Sequence, residues 1–349
     1  MGGTVEMKAA VLFRTGAPLR ILDSVEAPPP GRGQVFVALS HAGVCHSQVM
    51  EVRGGRGPDP YLPHLLGHEG VGRVLAVGEG VTRVVPGDRV VLGWIKGQGL
   101  DADPVRYRWR DLDLNAGAVT TFNTHALVAE NRCQPLPDGV PDEIGVLLGC
   151  AAPTGAGIVT NELKPAPGAS AAVFGLGGIG LTALMALAAA GCDPIIAVDV
   201  APAKLQAALD CGATHVIDAS REDPVAAIRS LTSGRGVDCA VEAAGRVQTI
   251  EQAFDSTRKF GGQCVFASHP PAGQKVSLDP HDLISGKGLK GTWGGASVPD
   301  RDVPLFARMY LDGKLPLDRL LRDRYELEEI NQAIDSLAAG SAFRPLIRL

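Results

Sequence analysis

Apolar and polar positions along the chain fall into two regimes that meet near residue 164. From residue 8 to about 128 the apolar residues come in short runs, at 9–13, 35–39, 72–77 and 89–92, cut by glycine and proline. Such punctuation predicts short antiparallel strands closing into a small barrel. The register changes at Lys164-Pro165-Ala166-Pro167-Gly168, and beyond it strands and helices alternate. The pattern reads as strand 171–174, helix 179–190, strand 195–198, helix 204–211, strand 216–218, helix 224–232, then strands 238–242 and 263–267. A βαβ series of this kind predicts a doubly wound parallel sheet covered on both faces. Two amphipathic helices, 303–312 and 328–338, and a final short strand are expected to return to the first lobe.

Length and composition narrow the class. At 349 residues the chain is long enough for two cores. With 45% hydrophobic residues, 20% charged and a net charge of −5, it reads as an ordinary soluble globular protein without a basic surface for nucleic acid, its α/β class resting on the alternation of strands and helices. Residues 1–6 lack the features of a secretory leader, and no run of ~18 apolar residues follows. A cytoplasmic protein without a membrane partner is the expectation. Seven scattered cysteines form no disulfide framework. Cys192, Cys211, Cys239 and Cys264 read as small buried hydrophobes, and Cys133 receives no role.

The turn Gly175-Leu176-Gly177-Gly178-Ile179-Gly180 follows a predicted strand and opens a predicted helix, the setting in which G-x-G-x-x-G reads as a dinucleotide site. Gly175 allows the tight turn, Gly177 lets the backbone approach a pyrophosphate, and Gly180 lets helix and strand pack closely. Asp199 ends the next strand, where a carboxylate accepts from ribose hydroxyls and repels a 2′-phosphate. NAD is therefore expected over NADP. Cys45, His68 and Cys150, earlier in the chain, offer two thiolates and an imidazole, a donor set that leaves one corner of a zinc tetrahedron free.

The strings Gly43-Val44-Cys45-His46-Ser47, Gly67-His68-Glu69-Gly70-Val71-Gly72, Leu148-Gly149-Cys150 and Phe343-Arg344-Pro345, with the turn at Gly175, resemble the zinc-dependent alcohol dehydrogenases of the medium-chain dehydrogenase/reductase superfamily. The resemblance runs from about Lys8 to the C-terminus. It implies a GroES-like β-barrel catalytic domain from residues 1–152 and 295–349, and a Rossmann NAD-binding domain from 153–294. It also implies a NAD-dependent enzyme that interconverts an alcohol and its aldehyde or ketone, with one catalytic zinc per subunit.

Carried over by that resemblance, Cys45, His68 and Cys150 hold the zinc, and Glu69 lies behind it as a further ligand or a hydrogen-bond acceptor. Ser47 passes the alcohol proton toward solvent, or caps a helix, or both. His46 and Arg344 touch the pyrophosphate, and Thr154 lies beside the nicotinamide. Lys204 reaches the adenosine ribose or solvates a helix face. Val200, Ala243 and Ala267 join the cofactor set, with Trp293 covering it. His269 falls near nicotinamide and substrate, or is an ordinary loop histidine. Trp94 and Phe122 line the substrate pocket or pack in the core. A homodimer or homotetramer is implied by the same analogy.

Two departures stand out. Where many relatives carry an acidic residue behind the ligand histidine, this chain has Gln48, which supplies no negative charge. No cysteine falls between Gly93 and Phe122, where relatives with a structural zinc hold it, and residues 96–115 read instead as a polar, charged lobe. The substrate stays open, with a polyol, a cyclitol or another secondary-metabolite alcohol as candidates. The alternatives are a zinc-free NADPH quinone or enoyl reductase of the same superfamily and a non-catalytic NAD-binding relative.

Overall fold

A computed structural model describes residues 4–271 and 273–349. They form two compact units. The first comprises the chain up to Cys150 with Val298–Ala307 and Leu321–Leu349, the second Ala151–Ser297 with Arg308–Leu320. The sequence reading gives the whole tail from residue 295 to the barrel. Residues 308–320 instead cluster with the second unit: Leu315, Leu317 and Leu320 are fully buried, and 317–320 packs on the helix Gly178–Ala189.

In the first unit a closed barrel is made by strands Val5–Leu12, Arg20–Ala27, Arg106–Trp109, Leu112–Asn115 and His64–Leu65. A second sheet runs in the order Cys133–Pro135, Arg89–Gly93, Glu69–Val77, Gln34–Gly43, Leu346–Arg348, Arg324–Glu326, with His125–Ala129 also paired to Gln34–Gly43. The C-terminal strand thus lies next to an N-terminal one, Leu346 opposite Gly43. The supposed polar lobe is in part a barrel hairpin. Tyr107 and Leu114 sit opposite each other and are buried, while Arg106 and Arg108 point outward. Period-two alternation decides this: the charged side chains belong to one face only.

The second unit is a six-stranded sheet ordered His215–Asp218, Ile195–Asp199, Ala171–Phe174, Cys239–Glu242, Gln263–Phe266, Gly288–Gly291. Every pairing in it is parallel. Strand order reverses between Ala171–Phe174 and Cys239–Glu242, and ligands of such sheets bind outside the carboxyl ends of the strands at that point. The strand Ala171–Phe174 is buried throughout, as a strand covered on both faces must be. The helix Val247–Asp255 and the strand Gly288–Gly291 add to the elements read from the sequence.

Candidate active site

Three separate pieces of the first unit bring Cys45, His68 and Cys150 together. Cys45 is the extended N-cap residue of the helix His46–Val52, with φ −101° and ψ 155°. His68 follows Gly67, whose φ of +93° and whose packing leave no room for a side chain: a Cβ there would lie 2.4 Å from Oγ1 of Thr121. Cys150 is the last residue of the turn that ends the helix Asp142–Leu147. The three ligand atoms lie within 4.8 Å of one another. Nε2 of His68 is 3.3 Å from Sγ of Cys150, which suits the edge of a zinc tetrahedron, about 3.3–3.8 Å from the usual bond lengths.

The electrostatics favour a cation. Contact between the two thiols moves their acidities apart. Cys150 donates toward Cys45 and, with the Arg344 guanidinium and His68, holds its thiol well below the ordinary value despite burial. The same contact, together with burial, pushes Cys150 well above its ordinary value. A divalent metal would displace the thiol protons, as thiolate ligation requires. The residues therefore fit zinc in donor type, spacing and charge.

Behind the thiols, Nη2 of Arg344 lies 2.6 Å from Oε1 of Glu69, with side chains 4% and 0% exposed. Burial alone would lower the Arg344 pKa, but Glu69, Cys45 and Cys150 hold the guanidinium firmly charged. The sequence reading sends Arg344 to a pyrophosphate; here its guanidinium is enclosed with Glu69. His46 is exposed at the helix start, and Oγ of Ser47 is buried with no hydrogen-bond partner.

A cavity of about 470 Å³ in this unit is lined by His68, Gln48 and Trp94, with Glu51, Arg56 and Arg132 among the charged groups. Arg132 donates through Nη1 to the carbonyl of Trp94, and its Nε is buried without a partner. Arg56 is 3.8 Å from Glu51. Trp94 is thus placed as a lining residue and Phe122 is not. Phe122 is fully buried and packs with Ala10, Leu12 and Val44 in a core cluster, so its apolar ring serves the interior.

In the second unit the glycine turn sits at the sheet's reversal point. Gly175 has φ +86°, a Cβ on Gly177 would meet nothing within 4 Å, and one on Gly180 would lie 1.8 Å from the carbonyl oxygen of Gly175. Open space at the middle glycine and close packing at the last fit a bound pyrophosphate beside a tightly packed helix. Gly178, Ile179 and Gly180 open the helix Gly178–Ala189, with Gly177 as its N-cap. Asp199 accepts from the backbone N–H of Leu176 at 2.8 Å, Val200 at 2.8 Å and Ala201 at 3.0 Å. The carboxylate thereby ties the turn to the second strand.

Thr154 is buried and its Oγ1 has no partner. Ala243 and Ala267 follow the ends of their strands, donating to the carbonyls of Phe174 and Glu242. Lys204 is half-buried, His269 is exposed and Trp293 is 73% exposed. One residue escapes the sequence reading. Glu242, fully buried at a strand end beside the reversal point, accepts from the backbone N–H of Ala244 and Gly245 and from the hydroxyls of Thr249 and Ser268. An acidic residue closing an apolar strand, as at Asp199, is the signal that could have found it.

Comparison with known proteins agrees with this geometry. Residues 31–138 match the alcohol dehydrogenase GroES-like domain, and residues 178–309 the zinc-binding dehydrogenase family. The chain is 33% identical to S-(hydroxymethyl)glutathione dehydrogenase of Synechocystis sp., over 98% of this chain and 100% of that one. Among solved structures it resembles an alcohol dehydrogenase zinc-binding domain protein from Burkholderia ambifaria, with a TM-score of 0.93, 35% identity and 99% of both chains covered. It also resembles benzyl alcohol dehydrogenase from Acinetobacter calcoaceticus, with a TM-score of 0.90, 32% identity and 99% of both chains covered.

The fold is thus a GroES-like barrel domain with a Rossmann-like domain. The chain belongs to the zinc-dependent alcohol dehydrogenase family, oxidoreductases that act on CH–OH groups with a nicotinamide cofactor. Among the described residues no helix is long and apolar enough to cross a membrane.

Proposed function

We propose that this protein interconverts a polar alcohol, of polyol, cyclitol or anion-bearing kind, and its carbonyl compound, with zinc held by Cys45, His68 and Cys150 and with NAD preferred over NADP. The observation that carries the reading is the convergence of those three ligand atoms within 4.8 Å. Zinc bound there supplies Lewis acidity to an alcohol or carbonyl oxygen, and NAD supplies the hydride acceptor.

The chain's own residues do the rest. Ser47, whose Oγ is buried and unpartnered, is a small donor and acceptor suited to taking a proton from the substrate hydroxyl. Trp94 walls the cavity beside His68, while Arg132 and Arg56 give it donors for hydroxyl or carboxylate groups distant from the carbinol. Asp199 supports NAD because its carboxylate would meet a 2′-phosphate with like charge. Glu69 and Arg344 hold charge behind the thiols. Under the same reading the protein acts in the cytoplasm as a homodimer or homotetramer, and the outer edge of strand Gly288–Gly291, which ends the sheet order, is where a second copy would pair.

The test is a panel of primary, secondary and polyhydroxylated alcohols assayed with NAD and with NADP, before and after zinc is stripped by a chelator and restored. Activity that disappears on stripping, returns with zinc and favours polar alcohols with NAD is expected. Undiminished turnover by metal-stripped protein would refute the metal assignment, and preference for apolar alcohols the substrate class.

A further inference from the structure

Gln48 is 2% exposed, and its amide touches two of the three ligand residues. Its Oε1 accepts from the backbone N–H of Cys45 at 3.0 Å, and its Nε2 lies 2.6 Å from Nδ1 of His68. The first contact dictates the second. A backbone N–H can only donate, so the oxygen end of the amide faces Cys45, and the amino end, itself only a donor, faces the ring. Nδ1 must then accept. The single proton of the neutral imidazole resides on Nε2, 3.3 Å from Sγ of Cys150.

Nε2 is also the nitrogen turned toward the thiols, and a metal ligand must present that atom free of its proton. Moving the proton to Nδ1 sets an N–H against the amino group of Gln48, donor against donor. Turning the amide over repairs that contact and transfers the fault to the N–H of Cys45. With the head in this place, each end of the amide meets one donor and only one end accepts. A carboxylate has an accepting oxygen at both ends.

We infer that Gln48 is a positioning residue that gives the site two hydrogen-bonding states, complete when metal-free and short of one acceptor when loaded, so that zinc is held less tightly than a carboxylate at this position would hold it. The inference rests on the reading of Cys45, His68 and Cys150 as zinc ligands. It concerns metal affinity and ring tautomer rather than turnover.

The test compares full-length wild type with Gln48→Glu, which keeps the side-chain length and supplies two acceptors. Zinc dissociation constants, measured by competition with a chromophoric chelator, should tighten by about ten- to a hundredfold in the variant. Added charge alone would also tighten binding, so the tautomer of His68 is read by ¹⁵N NMR of histidine-labelled protein in mildly alkaline buffer. Metal-free wild type should carry the proton on Nε2 and zinc-loaded wild type on Nδ1; metal-free Gln48→Glu should already carry it on Nδ1. Equal zinc constants, or an Nδ1 proton in metal-free wild type, would overturn the inference. Failure of both proteins to bind zinc would instead defeat the ligand assignment, and the metal-free tautomer of wild type would still decide which way the amide faces.

Discussion

Replacing Asp199 by Asn separates two tasks that one carboxylate performs. Oδ2 accepts from Leu176 N–H at 2.8 Å, while Oδ1 accepts from Val200 and Ala201 N–H. Asparagine retains one accepting oxygen. If that oxygen stays with Val200 and Ala201, the amino group turns toward Leu176 N–H, and the glycine turn loses a hydrogen bond to a charged acceptor. Such a bond contributes about 1.5–3 kcal/mol. Expressed wholly in cofactor binding, the loss raises the KM for NAD about ten- to a hundredfold, at about 1.4 kcal/mol per factor of ten. Relief of like-charge repulsion should narrow the NAD-to-NADP ratio. The displaced turn penalises both cofactors, however, so NADP should not reach the wild-type efficiency with NAD. Steady-state kinetics with each cofactor at saturating alcohol, with Tm recorded alongside, measures this. An Asp199→Asn enzyme with an unchanged KM for NAD, or one that uses NADP as well as wild type uses NAD, would refute the double role.

Two further predictions concern stability. Tyr107→Phe leaves the buried N–H of Leu127 without the phenolic oxygen that accepts from it at 2.9 Å, and should lower unfolding stability in urea by about 1–3 kcal/mol; no change would argue against the hairpin as a barrel element. Acid should also destabilise the first unit. Burial alone would raise Glu130, but the backbone N–H groups of Leu100, Thr82 and Arg83 hold it below its ordinary value; Asp142 is likewise raised by burial and held down by Arg89 and Ser40. Depressed folded values mean that this stabilisation is complete above the ordinary carboxylate pKa, about 4, and is lost as pH falls through the folded values. Tm should therefore drop on acidification below about pH 4, less steeply for Glu130→Gln, and identical profiles for the variant and wild type would contradict this.

The second unit was largely legible in the sequence because parallel strands buried on both faces leave unbroken apolar runs, as at Ala171–Phe174. The helix Val247–Asp255 escaped because its buried face is only Ile250, Ala253 and Phe254, and Gly288–Gly291 because two glycines and partial exposure blur a strand signal. In the first unit the arginines of 106–110 concealed the alternation that buries Tyr107. The candidate ligands that converge in the fold were readable from local strings. Their surroundings were not: the pairing of Glu69 with Arg344, the double contact of Gln48 and the enclosure of Phe122 depend on which distant segments meet, and no local pattern records that.

The insertion of Leu346–Arg348 beside Gln34–Gly43 bears on the order in which the molecule can be assembled. During synthesis the strand that leads to Cys45 must wait for Leu346–Arg348, and the carboxylate of Glu69 must wait for the guanidinium of Arg344, until those distant segments have left the ribosome. The candidate metal centre is begun with Cys45 and is not enclosed until Arg344 has been made.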